Sequence, residues 1–511
     1  MTIKTFASMT CLAALPCLAE DVDFREPQIV PTPAKMKYES SRPVRLGESV
    51  RFVVQCPDTS ATAWVAKHAK EWFGFTPEFE RLEIRGDGVK GSEDYALSAK
   101  ADRIVIVANT LQGVRYAMFT LRQAAERESA GRMLKGYWLP EMEVRDSPAI
   151  AFRGIHFCWF PELSKTFVEH QIRAAAYYKF NYVVLESWGV FRGDRHPELA
   201  VKDAPLTVRE AQRLTEIARD LGVTLIPQIN VFGHASGERG MAGKHASLDL
   251  HPEMQPLFEP AGGWNWCLSN PEARAVVREV VEEMHEAFGN PPFFHIGCDE
   301  AEPPSCPTCR AVKPYAALIG AHIAEVAGVL RSRGARAMMW HDMLLEKADA
   351  KWKPFYANGD ADQAKMIETL PKDIVICDWY YGSDGGGHDP TGGKVSVGNY
   401  PTLEFFKAQG HDVLTCPWRA EKGIVAQMQY AKEKKLFGVL ETVWHHFRGR
   451  EFARMMEASS NGAWGHGTRI ISEWTPPFLT HWRQVGWDMG VNEYRETGLI
   501  DAQVTRDALD R

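Results

Sequence analysis

From about residue 148 onward, apolar runs of strand length alternate with segments of helical periodicity, and the alternation repeats eight times. The strand-like runs are 150–158, 182–187, 224–231, 293–299, 336–341, 374–379, 412–417 and 437–443. The helix-like segments that follow them are 166–178, 207–220, 272–288, 315–333, 360–370, 401–408, 424–434 and 451–458. Short apolar runs bounded by Pro and Gly read as buried strands. Strands alternating with helices predict a parallel sheet, and eight repeats predict its closure into a (β/α)8 TIM barrel over 149–511. Right-handed crossovers put the C-terminal ends of all eight strands on one rim.

Residues 22–148 have a different rhythm. A strand at 51–54, a helix at 61–73, a hairpin of 95–98 with 103–108, and a helix at 113–126 read as a small α/β sandwich domain. Trp64, Ala69 and Trp72 mark the buried face of the first helix, and Val114, Ala117, Leu121 and Ala124 that of the second. No catalytic constellation is visible here, so the expected role is structural. Ahead of it, Lys4 precedes an apolar stretch that ends at Ala19-Glu20-Asp21. That pattern predicts a signal peptide at 1–19 and export to a periplasmic or extracellular location. The stretch is too short for a stable anchor, and no later one is long and apolar enough to span a membrane. A net charge of −7 leaves no basic surface for nucleic acid.

The rim collects polar and aromatic residues from every strand. In order they are Arg153, His156 and Trp159; Glu186 and Trp188; Asn230 and His234; Asp299 and Glu300; Trp340, His341 and Asp342; Asp378, Trp379, Tyr380 and Tyr381; Trp418 and Arg419; and Glu441, Trp444, His445 and His446. One His or Trp at a strand end is ordinarily core. Convergence at all eight ends is harder to assign to packing. Sixteen Trp suit a carbohydrate site, because aromatic faces stack on sugar rings. Asp299 and Glu300 are adjacent, and successive strand residues face opposite ways, so both can serve one site only if the chain turns there. Three readings follow from the residues. Glu300 could pair with Glu441 in a two-carboxylate retaining glycosidase, which needs about 5–5.5 Å between the carboxylates. The barrel could bind sugar without catalysis. Or the adjacent pair could serve a reaction in which the substrate supplies the nucleophile.

His295-Ile296-Gly297-Cys298-Asp299-Glu300 resembles the His-x-Gly-x-Asp-Glu motif of glycoside hydrolase family 20, the β-N-acetylhexosaminidases. Phe152-Arg153-Gly154, the run 226–230, Gly233-His234 and the segments 93–97 and 109–123 also resemble that family and its accessory domain. The resemblance implies exo-acting, substrate-assisted, retaining removal of terminal GlcNAc or GalNAc from a carbohydrate. It implies Glu300 as acid/base and Asp299 on the acetamido group. Arg153 would hold sugar hydroxyls and His234 would border the site. Trp340, Trp379 and Trp444 would wall the acetamido methyl, and Tyr380 or Tyr381 would donate to its oxygen. His446 stands where the family often has a sugar-binding Glu. Cys158 replaces an Asp, and Gln228 and Asn230 replace Glu and Asp.

No cofactor is expected. Asp384-Gly385-Gly386-Gly387 lacks the strand-to-helix setting of a phosphate loop. Eight Cys follow the leader. Cys158, Cys298, Cys377 and Cys416 read as small buried apolar residues. Cys306-Pro307-Thr308-Cys309 lacks a second pair, so it reads as a local disulfide or paired thiols, with no metal expected.

Overall fold

The computed structural model describes residues 26–465 apart from 83–88, 128–135, 162, 202, 237–247, 249, 261, 383–398 and 445–448. Eight parallel strands close into a barrel. In chain order they are Phe152–Trp159, Tyr182–Ser187, Thr224–Gln228, Phe293–His295, Arg336–Trp340, Val375–Trp379, Val413–Cys416 and Gly438–Glu441. The eighth pairs with the first, with Gly438 opposite Phe152 and Glu441 opposite Ile155. The outer helices include Lys165–Tyr177, Val208–Asp220, Pro271–Ala287, Tyr315–Ser332, Pro401–Ala408, Glu421–Lys434 and Gly449–Trp464. The segment expected as one helix at 360–370 is two short ones, Ala361–Ala364 and Met366–Thr369.

Alternation along the strands decides which side chains enter the barrel. Phe152, Val184, Ile226, Phe293, Met338, Trp340, Val375, Cys377, Trp379, Leu414, Cys416 and Leu440 form one buried interior cluster. On the first strand this parity carries Phe152 and His156 inward, where the His156 ring meets Trp340 and Trp444. Gly154 shares it, and a Cβ there would lie 2.8 Å from Leu440. Arg153 has the opposite parity. On the eighth strand Glu441 also faces the outer layer, where it accepts a hydrogen bond from Ser459 of the last helix.

Residues 35–146 build a seven-stranded sheet with helices Ala61–Phe73 and Leu111–Ala124. All four expected positions on the second helix are buried. The two longest strands, Lys35–Leu46 and Tyr137–Asp146, were not anticipated. Each contains a proline, Pro43 and Pro140, and proline argues against a central strand. Here the two prolines lie opposite each other, beside a register shift between Glu39 and Pro43.

This sheet unit meets the barrel through buried ion pairs. Arg153, 1% exposed, makes a two-pronged contact with Glu93 at 2.7 and 3.0 Å. It also donates to the Tyr116 hydroxyl at 2.8 Å and to the carbonyls of Ile150 and Lys179. Lys179 is fully buried and reaches Asp146 at 3.1 Å and Tyr95 at 2.9 Å. The Trp464 indole donates to the same Asp146 carboxylate at 2.7 Å. Arg153 therefore does not clamp a sugar. It lies near the start of its strand, faces outward, and ties the accessory sheet to the foot of the barrel. Lysine cannot reproduce the fork. Arg153→Lys should lower the unfolding free energy by about 2–3 kcal/mol, the scale of charged hydrogen bonds lost in a buried site. Ligand affinity at the opposite end of the barrel should not change. Urea unfolding and a binding titration, run side by side, separate the two roles.

Candidate active site

The fourth strand stops at His295, and the next residues leave the sheet with left-handed backbone. Gly297, Cys298 and Glu300 have φ of 67°, 75° and 45°. Only glycine fits at 297, since a Cβ there would fall 1.8 Å from Asn230 Oδ1. This turn is the departure from strand geometry that two adjacent carboxylates required. Asp299 is buried at 5% exposure, whereas the Glu300 side chain is 52% exposed.

The turn is held from two sides. Gly233 packs so closely that a Cβ would lie 2.3 Å from the Asp299 carbonyl. The next residue, His234 (φ 54°), places Nε2 3.3 Å from Glu300 and 3.6 Å from Asp299. The Trp264 indole donates to the Glu300 carbonyl at 2.7 Å and packs on the His234 ring at 4.3 Å. On the other side the Glu300 amide donates to Asp342 at 2.9 Å, and Asn358 donates to the same oxygen. The bond to His234, ahead of opposing desolvation, holds the Glu300 carboxyl below its ordinary value.

These groups border an open cleft of about 200 Å³ at the barrel mouth. Trp188, Phe160, Cys158, Trp379, Tyr381, Trp418 and Trp444 line it with His234, Asp299 and Glu300. Trp379 and Tyr381 stack at 5.2 Å with an interplanar angle of 19°. Trp418 meets Tyr381 edge-on at 5.0 Å. Burial, with Cys416 and the Asp299 charge adding to it, keeps the Tyr381 hydroxyl protonated well above its ordinary range. This face combines carboxylates at one rim with a broad aromatic wall.

Not every expected residue reaches the cleft. Arg153 is at the other end of the barrel. Tyr380 has the outward parity, and its ring packs on Phe355 at 5.5 Å and Tyr400 at 5.7 Å. Tyr381 is the one that faces in. Trp340 is fully buried beneath Trp444, 5.2 Å between rings, and forms floor. His446 lies outside the described residues, as do His445 and 383–398. Phe160, Trp264 and Asn358 were not anticipated. Trp264 sits in Gly262-Gly263-Trp264-Asn265-Trp266, between two strands, where strand-end reasoning does not look.

Beneath the cleft, Glu186 accepts from Cys158 (3.1 Å) and Asn230 (3.1 Å) and meets His156 (3.0 Å). His156, Cys158 and Glu186 could together hold a cation. Their contacts, with Asn230 on the other oxygen, already satisfy the Glu186 carboxylate.

Two family models match the chain: "Glycosyl hydrolase family 20, domain 2" over residues 26–147, and "Glycosyl hydrolase family 20, catalytic domain" over 165–445. A β-hexosaminidase of Porphyromonas gingivalis is 23% identical over 71% of this chain and 52% of its own length. A β-N-acetylhexosaminidase of Cellulomonas fimi is 28% identical over 58% of this chain and 59% of its own. The chain thus spans about half the length of the curated relatives it matches. Among solved structures, an exo β-N-acetylglucosaminidase from Vibrio harveyi in complex with N-acetylglucosamine superposes with a TM-score of 0.66. That pair is 18% identical over 92% of this chain and 79% of the other, a likeness of fold.

Asp342 offers a test of the electrostatics. Burial, then the Asp299 charge, pushes its carboxyl up to about 7. Its unfolded value is near 3.9, so ionisation is penalised only in the folded state. The penalty is absent below about pH 4, grows between about pH 4 and 7, and is constant above. Wild type should therefore lose stability across that window relative to Asp342→Asn. Urea unfolding of both proteins at several pH values measures the slope. A constant difference would mean that Asp342 does not carry the penalty.

Proposed function

Because the chain belongs to glycoside hydrolase family 20, we propose that it is an exo-acting β-N-acetylhexosaminidase that removes terminal GlcNAc or GalNAc by substrate-assisted, retaining hydrolysis. The observation that carries this reading is the placement of Asp299 and Glu300 on one rim, both beside His234, at an aromatic-walled cleft. Two groups on the same side cannot flank a glycosidic bond. They can protonate the leaving oxygen and steady a nucleophile that the sugar provides. The two-carboxylate alternative needs Glu441 in the cleft, and Glu441 is buried against Ser459 of the outer layer.

The steps follow from the groups present. The 2-acetamido oxygen attacks the anomeric carbon as the bond to the leaving oxygen breaks. Glu300 gives that oxygen its proton. Positive charge grows on the oxazolinium ring, and Asp299, buried and ionised, accepts the acetamido N–H and offsets the charge. Glu300, now a carboxylate, takes a proton from the water that opens the ring, so two inversions restore the configuration. Trp379 and Trp444 would wall the acetamido methyl above the Trp340 floor. Tyr381 would donate to the acetamido oxygen, and His234 would position both carboxylates. The apolar leader at 1–19 supports export of the chain. Intact mass of the protein from a periplasmic fraction tests that cleavage.

Three variants test the mechanism. Glu300→Gln should lose about 10²–10⁴-fold in turnover of substrates with poor leaving groups, and less with activated aryl groups. Asp299→Asn should lose about two orders of magnitude in kcat and become insensitive to a thiazoline mimic of the cyclised intermediate. Cleavage of aryl glycosides that lack the acetamido group, or a covalent glycosyl-enzyme on Glu441, would overturn the substrate-assisted reading. Complete inactivity of the wild-type chain toward acetamido substrates it nevertheless binds would favour a sugar-binding role.

The third variant concerns pH. A general acid works while protonated, and kcat/KM reports the free enzyme. The His234 contact lowers the Glu300 carboxyl, so the alkaline limb of kcat/KM should lie at acidic pH. In His234→Asn that influence is gone, the carboxyl holds its proton to higher pH, and the limb should move up. A limb that stays in place would assign the low value to another neighbour.

A further inference from the structure

Three cysteines and a glutamate converge where the loop before helix Pro271–Ala287 meets the segment after the fourth strand. Cys267 Sγ lies 3.7 Å from Cys306 Sγ and 3.8 Å from Cys309 Sγ. Glu259 faces the same point, and one donor atom from each of the four residues lies within 4.8 Å of all the others. The spacing is that of a common centre. Tetrahedral ligands with zinc–sulfur bonds of about 2.3 Å hold two sulfurs about 3.8 Å apart. A disulfide needs about 2.05 Å and uses two thiols, which would leave the third cysteine and the glutamate without purpose.

The surroundings prepare each donor. Cys309 N–H donates to Cys306 Sγ at 3.2 Å, an arrangement that favours a thiolate at the first position of a Cys-x-x-Cys turn. Glu259, 3% exposed, is oriented by the amides of Ser305 and Cys306 through Oε2. Its Oε1 is buried and meets no N–H or O–H donor among the described residues, and the neighbour of the carboxylate there is the Cys309 thiol. A buried carboxylate oxygen beside three sulfurs is an acceptor with no N–H or O–H donor, and a cation would meet its lone pair.

We propose that Glu259, Cys267, Cys306 and Cys309 bind a structural zinc ion. Thiolate-rich tetrahedral sets suit zinc, and four protein donors leave no open position for catalysis. The second pair that Cys306 and Cys309 lack in sequence is supplied from another loop. Glu259 and Cys267 precede helix Pro271–Ala287, whereas Cys306 and Cys309 follow the fourth strand. Between Glu259 and Cys267 lie Trp264, which holds the Glu300 carbonyl, and Asn265, which pairs with the Glu302 backbone at 2.7 and 3.1 Å. The ion would clamp the loop that carries Trp264 to the segment that carries Glu300.

Metal analysis of the tag-free, full-length protein, purified without added metal, is the test. The expected result is one zinc per chain, resistant to dialysis, falling below about a tenth in Cys309→Ser and in Cys267→Ser. Chelation of wild type should lower Tm, and zinc chloride should restore it. Cobalt replacement should give thiolate-to-metal charge-transfer absorption that Cys309→Ser lacks. Wild type that is metal-free with two of the three cysteines joined in a disulfide, or with all three alkylated in the native state, would overturn the proposal. So would zinc retained in full by Cys309→Ser. If the variants fail to fold, the wild-type arms decide alone. None of these readouts uses activity, so the proposal stands or falls apart from the glycosidase reading.

Discussion

The left-handed turn through Gly297, Cys298 and Glu300 is what brings two consecutive carboxylates to one rim. A strand continued past His295 would send one of them into the barrel and the other toward the helices. The turn costs backbone strain at two non-glycine residues, and its neighbours hold it in place. Asn230 fills the space over Gly297, the Gly233 backbone presses on Asp299, and Asp342 and Trp264 bind the two ends of the Glu300 peptide unit. If that turn relaxed, the aromatic wall would lose the carboxylates at its rim.

Charge at the mouth is arranged in layers. Asp299, Asp342 and Glu300 crowd together, and burial sorts them. Asp342 is the deepest, and burial with the Asp299 charge beside it raises its carboxyl. Glu300 remains partly exposed and touches His234. Glu300 is thus the carboxylate most open to the cleft, and Asp299 the one set back beside it. Farther down, Glu186 with His156, Cys158 and Asn230 fills the barrel with a network whose hydrogen bonds are made internally.

The accessory sheet contributes at the opposite end. Arg153, buried and paired with the half-buried Glu93, and Lys179, buried with Asp146, are charges that would be costly to separate. They fix how the sheet abuts the barrel and do not approach the cleft. The seven-stranded unit is therefore a buttress for the first two strands, through Glu93 and Tyr116 on Arg153 and through Asp146 and Tyr95 on Lys179.

Period and chain order were enough to find all eight barrel strands, most of the outer helices, and the rim to which Asp299, Glu300, His234, Trp379 and Trp444 belong. These are local or topological properties: alternation of two periods, and a handed crossover that aligns strand ends. What sequence could not decide was direction and company. Arg153, Tyr380 and Glu441 stand near cleft residues in the chain but have the parity that faces away, and parity is set by where each strand enters the barrel. Trp264 reaches Glu300 from a loop with no strand-end signature. Cys306 and Cys309 looked incomplete because their partners, Cys267 and Glu259, lie some forty residues earlier and meet them only across two folded loops. Contacts of that kind exist only once the barrel has closed and brought neighbouring loops side by side.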